Sequence, residues 1–221
     1  LLYGQYQNTA SFHIVDGLGS TIPAQFEVLD RWWAKDNSIR HLLAHFQATV
    51  GAFAAPGTGT AAYTLKDDGG NTEPPQPITL SDDGNAITLA NGVLQLTISR
   101  SPFRITTPNG VLTAVFTGAG PLAGQVQNSF DRTDVTVSIE ESGPMRAVIR
   151  AEAPASYTSA ANHTHGWAIR LYVYAGKPFA KVDFQLQNSA KTTTYSAPLY
   201  FDSMTLRLPT GGVTTPSQVQ A

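Results

Sequence analysis

The residues of this chain able to do chemistry are its five histidines, three tryptophans and a scatter of carboxylates. His41 and His45 lie four apart, and on a strand both would point to one face. Two such imidazoles begin a metal site only if a carboxylate or third histidine joins them. At about 3.3 Å per residue they stand about 13 Å apart, too far to share one ion. His163 and His165, in Ala161-Asn-His-Thr-His-Gly-Trp167, are spaced better at about 6.6 Å and are the weak metal candidates. A His-x-His before glycine otherwise reads as a solvated loop. The same stretch holds Asn162-His-Thr164, a formal N-glycosylation acceptor. Asp67-Asp-Gly69 and Asp82-Asp-Gly84 offer oxygens to a calcium ion, yet lack the alternating acidic spacing of a calcium loop, and Asp-Gly is first a turn dipeptide.

Aromatic rings suggest a second chemistry. Trp32, Trp33 and Trp167, with eight tyrosines, can stack on the C–H faces of sugar rings. Adjacent Trp32 and Trp33 would point to opposite faces of a strand, which leaves one of them for the core. In Trp167–Tyr174, Ile169, Leu171 and Val173 face inward, so Arg170, Tyr172 and Tyr174 face out. An arginine beside two tyrosines suits an acidic sugar, through charge-assisted hydrogen bonds and stacking. The candidate glycan contacts are therefore Trp32, Trp33, Arg170, Tyr172 and Tyr174. No Gly-x-Ser-x-Gly elbow is present, and Glu140, Glu141, Glu152, Asp183 and Asp202 show no pairing in the sequence. No catalytic residue is assigned and no cofactor is expected.

The elements that must carry these groups are strands. Ile39–Val50 alternates, with Leu42, Ala44, Phe46, Ala48 and Val50 on one face. Such a period of two is a half-buried strand, and Lys35-Asp-Asn-Ser38 turns it back on Ala24–Ala34. A Gly/Ala/Pro-rich connector over 51–60 follows. Asn91-Gly92 and Asn109-Gly110 join further apolar runs and predict type I′ turns, which need φ > 0 at both central residues. Val137 and Ile139 lead to Glu141-Ser-Gly-Pro144, from which Met145, Ala147, Ile149 and Ala151 alternate away. Ala175-Gly-Lys-Pro178 returns the chain as Phe179–Asn188, with Val182, Phe184 and Leu186 inward. The pattern predicts an all-β fold, an antiparallel β-sandwich or distorted barrel built from sequential hairpins. Residues 1–208 form one β domain in this reading, with room for two sub-sheets divided near 120–130, and 209–221 form a loose tail. Leu42, Phe46, Val50, Val137, Ile139, Val148, Val182, Phe184 and Leu186 are the expected core.

Composition narrows the function. Charged residues are only 14%, and the net charge is −2, so no basic field exists to collect nucleic-acid phosphates. There is no cysteine, hence no disulfide scaffold, thiolate zinc site or cysteine nucleophile. No apolar stretch approaches the roughly 20 residues that span a bilayer as a helix. Low charge and abundant Thr, Asn and Gln point outside the cytoplasm, to a secreted or cell-surface setting. The chain begins at Leu1, which suggests processing or a segment of something longer.

Three segments resemble one family. Arg31-Trp-Trp-Ala-Lys-Asp-Asn-Ser-Ile-Arg-His41 is similar to a W-x-D-G-S-I-R/K hairpin of exo-rhamnogalacturonan-lyase-like proteins, with Asn37 in place of their glycine. Glu141-Ser-Gly-Pro-Met-Arg-Ala-Val-Ile-Arg150 resembles their G-P-x-R-A-V strand, and Arg170-Leu-Tyr-Val-Tyr-Ala-Gly-Lys-Pro178 their R-L-Y-x-Y-A-G hairpin. Order and spacing agree over roughly residues 20 to 190. In that family the resemblance implies a β domain followed by a helical toroid with the catalytic residues. The toroid is absent from this sequence, so the resemblance implies an accessory domain and transfers no catalytic residue. The leading expectation is a non-catalytic extracellular structural or docking module. Its partners would be protein neighbours, copies of itself included, met through sheet edges or the segments 1–6 and 214–221. The alternative is a glycan-binding accessory domain of a polysaccharide lyase-like enzyme.

Overall fold

A computed structural model describes residues 1–33, 35–50, 61–188 and 198–209. The strands are β1 (His13–Asp16), β2 (Thr21–Ile22), β3 (Ala24–Arg31), β4 (Ile39–Phe46), β5 (Tyr63–Lys66), β6 (Thr79–Asp82), β7 (Ala86–Ala90), β8 (Gln95–Arg100) and β9 (Phe103–Thr107). Then follow β10 (Gly110–Gly118), β11 (Val126–Asn128), β12 (Thr136–Ser142), β13 (Arg146–Ala153), β14 (Ser156–Ser159), β15 (Asn162–Thr164), β16 (Gly166–Tyr174), β17 (Ala180–Gln187) and β18 (Phe201–Arg207). The fold is all-β and antiparallel, interrupted among the described residues by a 3-10 turn at Gly120–Leu122. Among the described residues no sheet closes into a barrel. The connector 51–60 and the expected tail beyond Pro209 lie outside the described residues.

The chain divides into two compact units. Unit 1 holds residues 1–78, 143–147 and 174–176, and unit 2 the remainder; residues 120–130 lie inside unit 2. In unit 1, β2-β1-β5 form one sheet and β3-β4 a long hairpin. Its core gathers Phe12, Ile14, Val15, Ala24 and Ile39, with Phe12 ringed by Tyr6 and Phe26 at 4.8 and 6.0 Å. The N-terminal segment is tied down: the Leu1 amine donates to Arg40 O at 2.8 Å, Gly4 N to Ser38 Oγ at 3.0 Å and Ile39 N to Tyr6 O at 2.7 Å.

Unit 2 is a two-sheet packing. One sheet runs β11-β10-β9-β8-β7-β6 with β18 also on β10, and the other β12-β13-β16-β17. Strand alternation sends Ile87, Leu89, Leu96, Ile98, Phe103, Ile105, Leu112 and Phe116 inward from the first, and Ile149, Trp167, Ile169, Leu171 and Val173 from the second. Trp167 meets Phe103 at 5.1 Å and Phe130 at 5.0 Å, and its indole N–H donates to Ser129 O at 2.7 Å. Trp167 is thus a core residue, fully buried, and not a sugar platform.

Several expectations need correction. The first hairpin is shorter than its hydrophobic pattern: β3 ends at Arg31 and β4 at Phe46, so Trp32 and Trp33 sit in the turn and Val50 is exposed. Ile139 is exposed, whereas Leu42, Phe46, Val137, Val182, Phe184 and Leu186 are half-buried; Val148 is buried as expected. These positions face the right way but lie on short or outer strands with less above them. The Asn-Gly turns are not type I′, because among described residues only Asn37 is a non-glycine with positive φ, at 60°. In the second turn Thr107 pairs with Gly110, which makes Pro108 and Asn109 the central residues, and the proline ring holds φ near −65° where type I′ needs it positive. In the first, the buried Asn91 side chain accepts from Val93 N and Leu94 N instead.

Candidate functional site

The three segments that carried the family resemblance supply residues to unit 1. Gln25, buried on β3, is the joint. Its Oε1 accepts the backbone N–H of Met145 at 3.0 Å and of Arg146 at 2.9 Å. Gly143 is required beside it, since a Cβ there would fall onto the Gln25 amide. Ala175 N then donates to Met145 O at 3.0 Å, and Gln47 Nε2 to Ala175 O at 2.8 Å. Side-chain amides therefore lock Met145–Arg146 and Ala175 onto the β3-β4 hairpin.

Two adjoining hollows result, sharing Gln47 and Met145. The larger, about 580 Å³, is walled by Ile22, Pro23, Pro74, Pro75 and Met145, with Thr49 and Gln76 at its polar edge. The smaller, about 190 Å³, carries the charge: His45, Arg146 and Tyr174 line it. Arg146 Nη1 donates to His45 Nδ1 at 3.2 Å, so the imidazole hydrogen sits on Nε2, facing the Glu27 carboxylate at 3.9 Å. The arrangement offers a guanidinium, an imidazole and a phenol around one concave pocket. That donor set suits a carboxylate-bearing ligand, and the proline walls suit the flat faces of sugar rings.

Of the five expected glycan contacts, Tyr174 lies in this cleft. Trp32 is half-buried in the β3-β4 turn, with Arg40 over its ring at 4.7 Å and Tyr3 edge-on at 6.4 Å. Trp33 is 79% exposed. Arg170 and Tyr172 belong to unit 2, on a sheet face that neutralises itself. Arg170 binds Glu140 through two hydrogen bonds of 2.7 and 3.1 Å, and Arg150 binds Glu152 at 2.6 Å. Lys181 pairs with Asp183 at 3.0 Å and covers the Tyr172 ring at 4.7 Å. The Arg170 hydrogen bonds hold the Glu140 carboxyl below its usual range, and Lys181 does the same for Asp183. Arg170 is thus already bound to a carboxylate of its own sheet.

His163 and His165 are not in a solvated loop: they are 3% and 2% exposed. Phe116 stacks on His165 at 4.2 Å, and burial pushes its pKa down to about 4, with Arg132 and His163 adding. The aspartate turns hold their own backbone. Asp82 is paired with Arg100 by two bonds of 2.8 Å and caps Gly84 N, while Asp83 accepts from Asn85 N and Ala86 N. Both carboxylates thus serve as acceptors for the turn's own amides, and Asp82 for Arg100 as well, the turn role that Asp-Gly suggested. No helix of the described residues is long and apolar enough to cross a membrane.

His45 was in view in the sequence only as a distant partner of His41, and Arg146 only as a motif letter. The signal that joins them is the buried glutamine of β3, legible only once its acceptor oxygen is placed. No family model matches this sequence, and no curated protein matches it.

Proposed function

We propose that this chain is a non-catalytic extracellular β module that binds an acidic glycan in the unit 1 cleft. The observation that carries the reading is the convergence of Arg146, His45 and Tyr174 at one end of a proline-walled hollow. A uronate carboxylate meets the Arg146 guanidinium there, and neighbouring sugar rings lie along Pro23, Pro74 and Pro75. The reading agrees with the resemblance to the β domain of exo-rhamnogalacturonan-lyase-like proteins, since two of the three motifs supply cleft residues, Met145 and Arg146 from one and Tyr174, Ala175 and Gly176 from the other. It leaves the assembly role second, because residues 1–6 are hydrogen-bonded to their own unit and are not offered to a neighbour's sheet edge.

Calorimetric titration of galacturonate oligosaccharides into the chain tests it. Arg146→Ala should weaken binding at least tenfold, in line with a charge-assisted hydrogen bond of about 1.5–3 kcal/mol, while Arg170→Ala stays within twofold. Absence of binding, or equal losses in both variants, overturns the proposal.

A further inference from the structure

We propose that His163 and His165 form a buried two-nitrogen site for a soft monovalent metal ion, copper(I) by chemistry. Both imidazoles are more than nine-tenths buried, and each has one ring nitrogen held and the other without a partner: His163 Nε2 and His165 Nδ1.

The held nitrogens decide the tautomers. His163 Nδ1 lies 3.3 Å from Pro198 O, and a carbonyl only accepts, so Nδ1 carries the hydrogen and Nε2 is a bare lone pair. His165 Nε2 lies 2.7 Å from Ser129 Oγ. With the Ser129 hydroxyl hydrogen donated to Met204 Sδ, 3.9 Å away, Oγ is left to accept from Nε2–H, and Nδ1 is then bare. Metal-binding histidines are oriented in this way, with the second ring nitrogen donating to an oxygen. A buried acceptor without a partner is otherwise a liability, and a metal bond removes it. His163 ends up buried on β15 and His165 buried just beyond it, with half-buried Thr164 between them, so both imidazoles turn to the interior.

The surroundings select the ion. Among the described residues no third histidine or carboxylate joins the pair within ligating range, which disfavours a tetrahedral zinc site. Phe116 and Tyr157 pack on the two imidazoles, and Met204 places a soft sulfur beside Ser129. The nearest cation, Arg132, donates to His165 O at 3.0 Å and is neutralised by Asp134 through bonds of 2.8 and 2.6 Å. A single positive charge on a soft ion is the least costly to bury there.

The test is anaerobic titration of the chain with copper(I) against a chromogenic copper(I) chelator, with silver(I) as a redox-inert second probe. One equivalent is expected, weakened at least tenfold by His163→Ala or His165→Ala and unchanged by His41→Ala. Because either core substitution can unfold unit 2, nitrogen NMR of the unsubstituted protein supplies the second readout. Silver(I) should shift His163 Nε2 and His165 Nδ1 and leave His13, His41 and His45 in place. No uptake, uptake that survives both substitutions, or shifts confined to the other histidines would overturn the site.

Discussion

Arg146 and Arg170 are both half-buried arginines on neighbouring kinds of sequence, yet they are set for different work. Arg170 sits on an open sheet face, where Asp183 is its direct cross-strand partner and Glu140 grips it with two oxygens. Arg146 stands in a hollow beside an imidazole and a phenol. The sheet face carries as many acids as bases at arm's length, so it satisfies itself and offers little to a charged ligand. What separates the two arginines is shape, not a lack of partners: Arg146 has its own neighbours, the His45–Glu27 pair among them, but lies in a hollow built by joining three distant segments. An arginine flanked by tyrosines is no receptor on a flat sheet whose other strands supply carboxylates.

That contrast can be broken at its foundations or sharpened at its edges. The largest expected effect is on unit 2. Trp167→Ala should destabilise it by about 3–5 kcal/mol through the cavity left against Phe103 and Phe130, measured by denaturant unfolding. A loss under about 1 kcal/mol would mean that the two sheets do not depend on this ring.

Acid should come next. His165 has a folded pKa of about 4 against an ordinary 6.5, so the unfolded chain takes up its proton first as pH falls. Its contribution is therefore complete above pH 6.5, is lost between 6.5 and 4, and then levels off. The difference is worth about 3 kcal/mol. Unfolding curves at pH 7, 5.5 and 4 check it, and His165→Gln should flatten that slope in the metal-free protein.

Gln25→Ala strikes unit 1. It leaves the Met145 and Arg146 amides without their acceptor, at about 1–3 kcal/mol, and should weaken acidic-glycan binding because Arg146 loses its anchor. Binding at full strength in this variant would show that the cleft does not need the joint. The smallest effect belongs to the self-neutralised face. Glu140→Gln should change stability by under about 1 kcal/mol, since its partners remain partly solvated. The direction with pH follows from the lowered Glu140 pKa: the contribution is present above the usual carboxylate range and disappears as pH falls through it.

The all-β class and the faces of β16 and β17 were legible in the sequence, because alternation reports which side of a strand meets the core. Lys181 and Asp183 pointed outward as their period required. Burial depth was not legible: Ile139 has the right period and little above it. Turn chemistry misled where a neighbour intervened, as Pro108 did for Asn109. The cleft was hidden for a different reason. His45 and Arg146 are 101 positions apart, and the bonds that Gln25 accepts from the Met145 and Arg146 amides help bring them within reach. The histidine pair was read as solvent-facing because glycine follows it, whereas Phe116 and the chain at Pro198 cover it.

The discontinuous make-up of unit 1 also bears on how the chain emerges from the ribosome. Its first 78 residues must wait for residues 143–147 and 174–176 before the bonds to Gln25 and Gln47 can close. At about 5–20 residues per second, the roughly one hundred residues in between take some 5–20 s to be synthesised. Throughout that interval Gln25 lacks the Met145 and Arg146 amides, and Gln47 the Ala175 carbonyl, that they bond in the finished fold. The β3-β4 hairpin therefore acquires these bonds late, only after the strand ending at Tyr174 has been made.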